Sequence, residues 1–154
     1  MTKAKKKYGQ NFLVDQGIIN KIIEAINPSN TEKILEIGPG LGALTTQILN
    51  KIKHIDVVEI DPDMIKVLQG KIPSANITIF PLSVLEMSND TIAKYDKVIG
   101  NLPYYISSEI LLKMIKTISN QKDLHFMLQK EVAERISSST HSKSYGRLSV
   151  MLQY

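Results

Sequence analysis

Lys33-Ile34-Leu35-Glu36-Ile37-Gly38-Pro39-Gly40-Leu41-Gly42-Ala43 is the stretch on which the fold turns. Its first five residues read as a short buried strand and the rest as a glycine-rich turn. Leu44, Ile48 and Leu49 then line one face of a helix expected to run to about residue 52. Strand, glycine turn and helix in that order open a βαβ unit, and the flanking sequence continues the alternation. Upstream, Ile18, Ile19, Ile22, Ile23 and Ile26 recur at helical spacing over residues 14–27, and Pro28 stops them. Downstream, residues 55–60 read as a second strand. Asp61 can then cap a helix, Pro62 suits its first turn, and Gly70 ends it. Third and fourth strands are expected at 76–80 and 97–100. Ser107 can cap a helix carrying Ile110, Leu111, Met114, Ile115 and Ile118. Residues 124–129 read as a fifth strand, 131–136 as a short helix and 137–146 as a polar loop. In residues 147–153, Leu148, Val150 and Leu152 alternate as in a sixth strand. The architecture this predicts is α/β, a mostly parallel sheet with helices on both faces.

A chain of 154 residues holds about one domain, and 43% hydrophobic with 22% charged residues is ordinary globular composition. Disulfides and thiolate metal sites are excluded because there is no cysteine, and the three histidines (His54, His125, His141) lack ligand spacing, so no metal is expected. No apolar run approaches the ~18 residues of a membrane span. Lys5-Lys6-Lys7 leads into Tyr8-Gly9-Gln10-Asn11 rather than an apolar leader, so a cytoplasmic protein without a membrane partner is expected. The net charge is +4, and Lys3, Lys5, Lys6 and Lys7 crowd the first seven residues with no acid among them. Such an arm suits a polyanion, and equally a solvated terminus.

Three candidate site elements fall at strand ends. In open α/β sheets, ligands bind outside the carboxyl ends of the strands. Glycines in 38–42 let backbone approach a ligand closely. Gly38, Gly40 and Ala43 satisfy a loose dinucleotide fingerprint, whereas Gly38, Gly40 and Gly42 suit a methyltransferase nucleoside loop; a tight turn without a ligand is the third reading. Glu59, 21 positions after Gly38, can accept hydrogen bonds from both ribose hydroxyls under either ligand reading. The third element, Asn101-Leu102-Pro103-Tyr104, discriminates. A nicotinamide enzyme has no use for it; an enzyme that methylates an exocyclic amine does. The N6 lone pair of adenine is delocalised into the ring, so the amine is a poor nucleophile. Two acceptors on its N–H groups, the Asn101 side-chain oxygen and a backbone carbonyl such as that of Leu102, would localise that lone pair. Pro103 stiffens the turn, and the Tyr104 ring can stack on an extruded base.

At this point the sequence resembles the small-subunit ribosomal RNA adenine N6,N6-dimethyltransferase family. The blocks that carry the resemblance are Lys7 to Leu13, Glu36 to Gly42, Val58-Glu59-Ile60-Asp61, Asn101 to Tyr104, His125 to Glu131 and Tyr145 to Val150. It implies a class I S-adenosylmethionine-dependent methyltransferase (Rossmann-like) fold. It also implies methyl transfer from S-adenosylmethionine to N6 of two adjacent adenosines in small-subunit rRNA, on a 30S-type ribosomal precursor. By the same resemblance, Asn11 and Leu13 would close over the cofactor, Gly38 and Gly40 would flank its methionine half, and Glu59 would bind its ribose. Asn101 would border the sulfonium and the target amine, and Phe126 would sandwich the base with Tyr104. Lys5, Lys6 and Lys7 would meet RNA.

Two departures stand out. Where the family usually has an aspartate against the cofactor's adenine amine, this chain has Ser83, with Glu86 nearby. Where the family commonly reads asparagine after Tyr104, this chain has Tyr105. The expected domain organisation is a catalytic domain over 1–154 with a basic arm at about 1–13, truncated before the last strand and lacking the family's small helical domain. A sixth strand left without its seventh would expose an apolar edge, so edge-strand self-association is expected of it. Competing readings are a nicotinamide-dependent oxidoreductase, a non-catalytic RNA-binding or assembly factor, and a large-subunit rRNA adenine methyltransferase.

Overall fold

Asp15 starts the first helix of the computed structural model, which describes residues 12–117 and 123–153. Its carboxylate accepts the Ile18 N–H at 3.0 Å and caps α1 (Gln16–Ile26). Ile19, Ile23 and Ile26 are buried from this helix, and Asn27 ends it in the left-handed region at φ 44°. The elements that follow are β1 (Ile34–Ile37), α2 (Ala43–Leu49), β2 (Ile55–Val58), α3 (Pro62–Lys71) and β3 (Ile77–Phe80). After them come α4 (Asn89–Ile92), β4 (Lys97–Asn101), α5 (Ser107–Thr117), β5 (Asp123–Met127), α6 (Lys130–Ile136) and α7 (Arg147–Gln153). Asp61 caps α3 by accepting the Asp63 N–H, and Pro62 occupies its first turn.

All strand pairs are parallel, in the order β3-β2-β1-β4-β5. The order reverses between β1 and β4, the place where an open α/β sheet forms its crevice. β1 is buried along its whole length, as a strand covered on both faces must be. One face packs on α1, α2 and Leu68 of α3; the other carries Met87, Ile92, Tyr95 and the α5 residues Ile110, Leu111 and Met114. Register then places the site. Ile37 pairs with Val58 on one side and Gly100 on the other, so Gly38, Glu59 and Asn101 all leave the sheet at one level.

The expected sixth strand is not a strand. Residues 147–153 form α7, because the spacing of Leu148 and Leu152 serves a helix as well as an alternating strand. Ser149 is fully buried and donates its hydroxyl to the Arg135 carbonyl at 2.6 Å; Gln153 donates to the carbonyls of Ile136 (2.6 Å) and Ser138 (3.0 Å). These bonds tie α7 to carbonyls at and just past the end of α6. Leu152 packs on the second core face. The self-association expected from a sixth-strand edge therefore loses its basis. α4 is an addition: four residues capped by Ser88, which accepts the Thr91 N–H. Ile118, expected to extend α5, lies outside the described residues.

Candidate active site

The turn between β1 and α2 is built from glycines in the left-handed region: Gly38 at φ 64°, Gly40 at 55° and Gly42 at 77°. Any residue with a Cβ would be strained there. Space adds a second constraint at two of them. A Cβ on Gly40 would lie 3.3 Å from the Phe12 ring, and one on Gly42 would lie 3.0 Å from Leu68. Around Gly38 a Cβ would meet nothing within 4 Å, so the backbone there stays open to a ligand. Gly38 N–H donates to the Val58 carbonyl at 2.9 Å, which ties the turn to the end of β2. A Cβ on Gly100 would sit 2.5 Å from the Ile37 carbonyl oxygen, so the close approach of β1 and β4 beneath the site needs glycine as well.

Two buried carboxylates flank this turn. Glu36, from β1, is 2% exposed and accepts the Thr45 hydroxyl at 2.7 Å. Burial pushes its carboxyl up to about 7; the Thr45 bond works against this rise and Glu59 adds to it. Glu59, just past β2, accepts the Asp61 N–H at 2.9 Å on one oxygen and the Gly40 N–H at 3.1 Å on the other. Burial also raises Glu59, against the backbone N–H groups that favour its charged form. Each carboxylate oxygen has two lone-pair sites. Glu59 therefore holds the glycine turn and still has acceptor capacity facing the cavity.

The third wall follows β4. Leu102 N–H donates to the Met127 carbonyl at 3.2 Å, and the Leu102 side chain is buried in the second core face. The chain then turns, with Ile106 N–H donating to the Pro103 carbonyl at 3.3 Å and Ser107 Oγ to the Tyr104 carbonyl at 3.2 Å. Tyr104 and Tyr105 occupy the outer corners of this turn. Both are exposed, at 43% and 58%.

These elements surround one cavity that opens to solvent at its mouth. It brings together Leu13, Gly38, Gly40, Glu59, Ser83 and the whole of Asn101 to Tyr104. Ser83 Oγ accepts the Leu85 N–H at 3.2 Å and keeps its own proton to donate; Glu86 is exposed and does not line the cavity. Phe126 packs on the second core face, and its neighbour Met127 lines the cavity in its stead. Asn11, Lys5, Lys6 and Lys7 lie outside the described residues. The lining also includes Tyr105, whose place beside Tyr104 marks it as part of the pocket rim, and Phe12 and Glu36, which lie within the sequence blocks of the candidate site but were assigned no role of their own. Glu36 had a visible signal, a lone charge inside an apolar strand. Among the described residues, no group of three or more His, Asp or Glu side chains could hold a metal.

The sequence profile of the family described as "Ribosomal RNA adenine dimethylase" matches residues 1–154. A "Ribosomal RNA small subunit methyltransferase A" of Methylobacillus flagellatus is 48% identical over 151 residues, covering 98% of this chain and 59% of that protein. The chain thus spans about three-fifths of the length of such relatives. Among solved structures, a dimethyladenosine transferase from Plasmodium falciparum superposes with a TM-score of 0.80 at 28% identity, covering 93% of this chain and 52% of the other. The 23S rRNA methyltransferase ErmE superposes with a TM-score of 0.66 at 26% identity, covering 89% and 53%.

Proposed function

The chain belongs to the ribosomal RNA adenine dimethylase family, and from that premise we propose that residues 1–154 are the catalytic domain of a small-subunit rRNA adenine N6-dimethyltransferase. Its fold is that of the class I S-adenosylmethionine-dependent methyltransferases. The observation that carries the reading is that Asn101 to Tyr104, Glu59 and the Gly38–Gly40 backbone line one cavity at one edge of the sheet.

The cavity suits S-adenosylmethionine on its own chemistry. The backbone at Gly38 is open, the Glu59 carboxylate faces the same cavity, and apolar side chains of Leu13, Leu82 and Ile106 line it beside these polar groups. When bound, that cosubstrate supplies an electrophilic methyl group. Gly38 and Gly40 would flank its methionine half and Glu59 would hold its ribose. Leu13 would cover it, together with Asn11. Ser83 would donate to its adenine, where an aspartate would have accepted from the amine. Asn101 Oδ1 and the Leu102 carbonyl would accept the two N6 protons of the target adenine, directing the amine lone pair toward the methyl group. Tyr104 would stack on the extruded base, with Phe126 at most a support from behind.

The RNA partner is a small-subunit ribosomal precursor in the cytoplasm. Its backbone would be met by the arm at Lys5, Lys6 and Lys7 and by exposed Lys143 and Arg147. Among the described residues no helix is long and apolar enough to cross a membrane. A small-subunit substrate is favoured over a large-subunit one because the relative named for the small subunit is 48% identical and the 23S enzyme 26%. Retention of Asn101, Pro103 and Tyr104 in the cavity favours catalysis over a purely structural role in assembly. Calorimetry with S-adenosylmethionine and with NAD tests the reading. Saturable binding of the first alone is expected; binding of NAD alone would overturn it.

A further inference from the structure

The turn after β4 is held on both sides of its two tyrosines. Ile106 donates its N–H to the Pro103 carbonyl, its own carbonyl accepts the Ile110 N–H at 3.0 Å, and its side chain packs on the second core face. Before the tyrosines, Leu102 is 1% exposed and anchored to β5 through the Met127 carbonyl. The anchors leave Tyr104 and Tyr105 at the corners, with Tyr105 the more exposed of the two and both on the cavity wall. A ring at Tyr105 does nothing for the core, since more than half of the residue faces solvent. What it offers is a flat apolar surface at the mouth of the cavity, one residue away from the ring proposed to hold the target base.

We propose that Tyr105 is a second stacking platform, which holds the nucleotide adjacent to the target adenosine and so helps to select single-stranded RNA at the cavity mouth. The inference rests on the function proposed above and deepens it. With the target base extruded onto Tyr104, its neighbour on the same strand lies at the cavity mouth, where the exposed Tyr105 ring sits on a turn fixed at Leu102 and Ile106. Stacking tolerates any base, because each has a π-face. Tyr105 thus contributes hold and orientation, and the acceptors at Asn101 and Leu102 contribute the choice of adenine.

The test uses the 154-residue chain with Tyr105→Ala and Tyr105→Phe variants, and a stem-loop RNA with two adjacent loop adenosines. 2-Aminopurine, whose fluorescence is quenched on stacking, replaces the adenosine next to the target. Tyr105→Ala is expected to relieve the quenching and weaken RNA binding at least about fivefold, the low end of one base stack. Tyr105→Phe should restore both, and S-adenosylmethionine affinity measured by calorimetry should change less than about twofold, too little for a lost stack. Unchanged quenching and RNA affinity in Tyr105→Ala would overturn the inference while the function stands. An equal loss of S-adenosylmethionine affinity would also overturn it, by making Tyr105 a cover for the cosubstrate. If the unsubstituted chain binds neither S-adenosylmethionine nor the RNA, the function reading fails, and this inference with it.

Discussion

The two edges of the sheet treat polar groups in opposite ways. At the amino edge they are paired off. Lys97, almost buried, meets Glu32 at 3.2 Å and donates to the Ile26 and Asn27 carbonyls at 2.6 and 3.2 Å, tying the end of α1 to β4. Asp96 accepts the Lys33 N–H at 2.8 Å, and the Tyr95 hydroxyl donates to Asp56 at 2.7 Å. At the carboxyl edge, Glu36 and Glu59 lie buried within repelling distance of each other, and among the described residues neither forms an ion pair. Glycines there hold a left-handed backbone that a residue with a Cβ would adopt only under strain, and Gly38 faces open space. One edge spends its polar groups on stability; the other leaves buried carboxylates unpaired at the proposed ligand site, at some cost in stability.

Substitutions should separate the two edges. Lys97→Met removes the cation and leaves two carbonyls and Glu32 without it. Unfolding by urea should show a loss of ~1–3 kcal/mol, mainly from the two carbonyls left without a donor, with S-adenosylmethionine affinity of the folded chain unchanged. Asn101→Ala should do the reverse. Methyl transfer should fall ~100-fold or more, while the urea midpoint stays close to that of the parent. Similar losses of stability in both variants would break the contrast. Glu59→Ala should weaken S-adenosylmethionine binding by ~1.5–3 kcal/mol in calorimetry, the scale of a hydrogen bond to a charged group.

The buried acids also predict an unusual pH dependence. The Glu36 carboxyl is raised from 4.5 to about 7, so between those values the folded chain binds more protons than the unfolded one. Its contribution to stability is fully present below about pH 4.5 and is lost as pH rises through about 7. Thermal unfolding of the ligand-free chain should therefore show this part of the stability declining between pH 5 and 8, by about 1–3 kcal/mol. Glu36→Gln should flatten that decline. The smallest effect is expected from Tyr104→Phe, which keeps the ring and loses only the hydroxyl, so turnover should change little, whereas Tyr104→Ala should lose most of it. A large loss in Tyr104→Phe would assign the hydroxyl a role that stacking does not need.

The carboxyl edge was the more legible half in the sequence. Gly38, Gly40, Glu59 and Asn101 to Tyr104 each sit where an apolar run ends, and the parallel register carries all of them to one level. The five strands were readable as short apolar runs between polar, glycine or proline stretches. Residues 147–153 were not, because their spacing suits both periods. The choice was made by bonds from Ser149 and Gln153 to carbonyls more than ten positions earlier, which no local pattern records. Phe126 was assigned to the site by a shared motif; it packs beside the second core face, while its neighbour Met127 is the β5 residue that lines the cavity. Phe12 reaches the site only by packing on the bare backbone of Gly40, a contact between distant residues that depends on the absence of a side chain.

Methyl transfer itself tests the central claim most directly. The chain, alone and fused to the C-terminal portion of its Methylobacillus flagellatus relative, is incubated with undermethylated small ribosomal subunits and S-adenosylmethionine carrying a labelled methyl group. The label should appear as N6,N6-dimethyladenosine at two adjacent positions of the small-subunit rRNA with the fused form, and should vanish with Asn101→Ala. A fused form that binds S-adenosylmethionine yet leaves adenine N6 unlabelled, or places the label on another atom, would contradict the account.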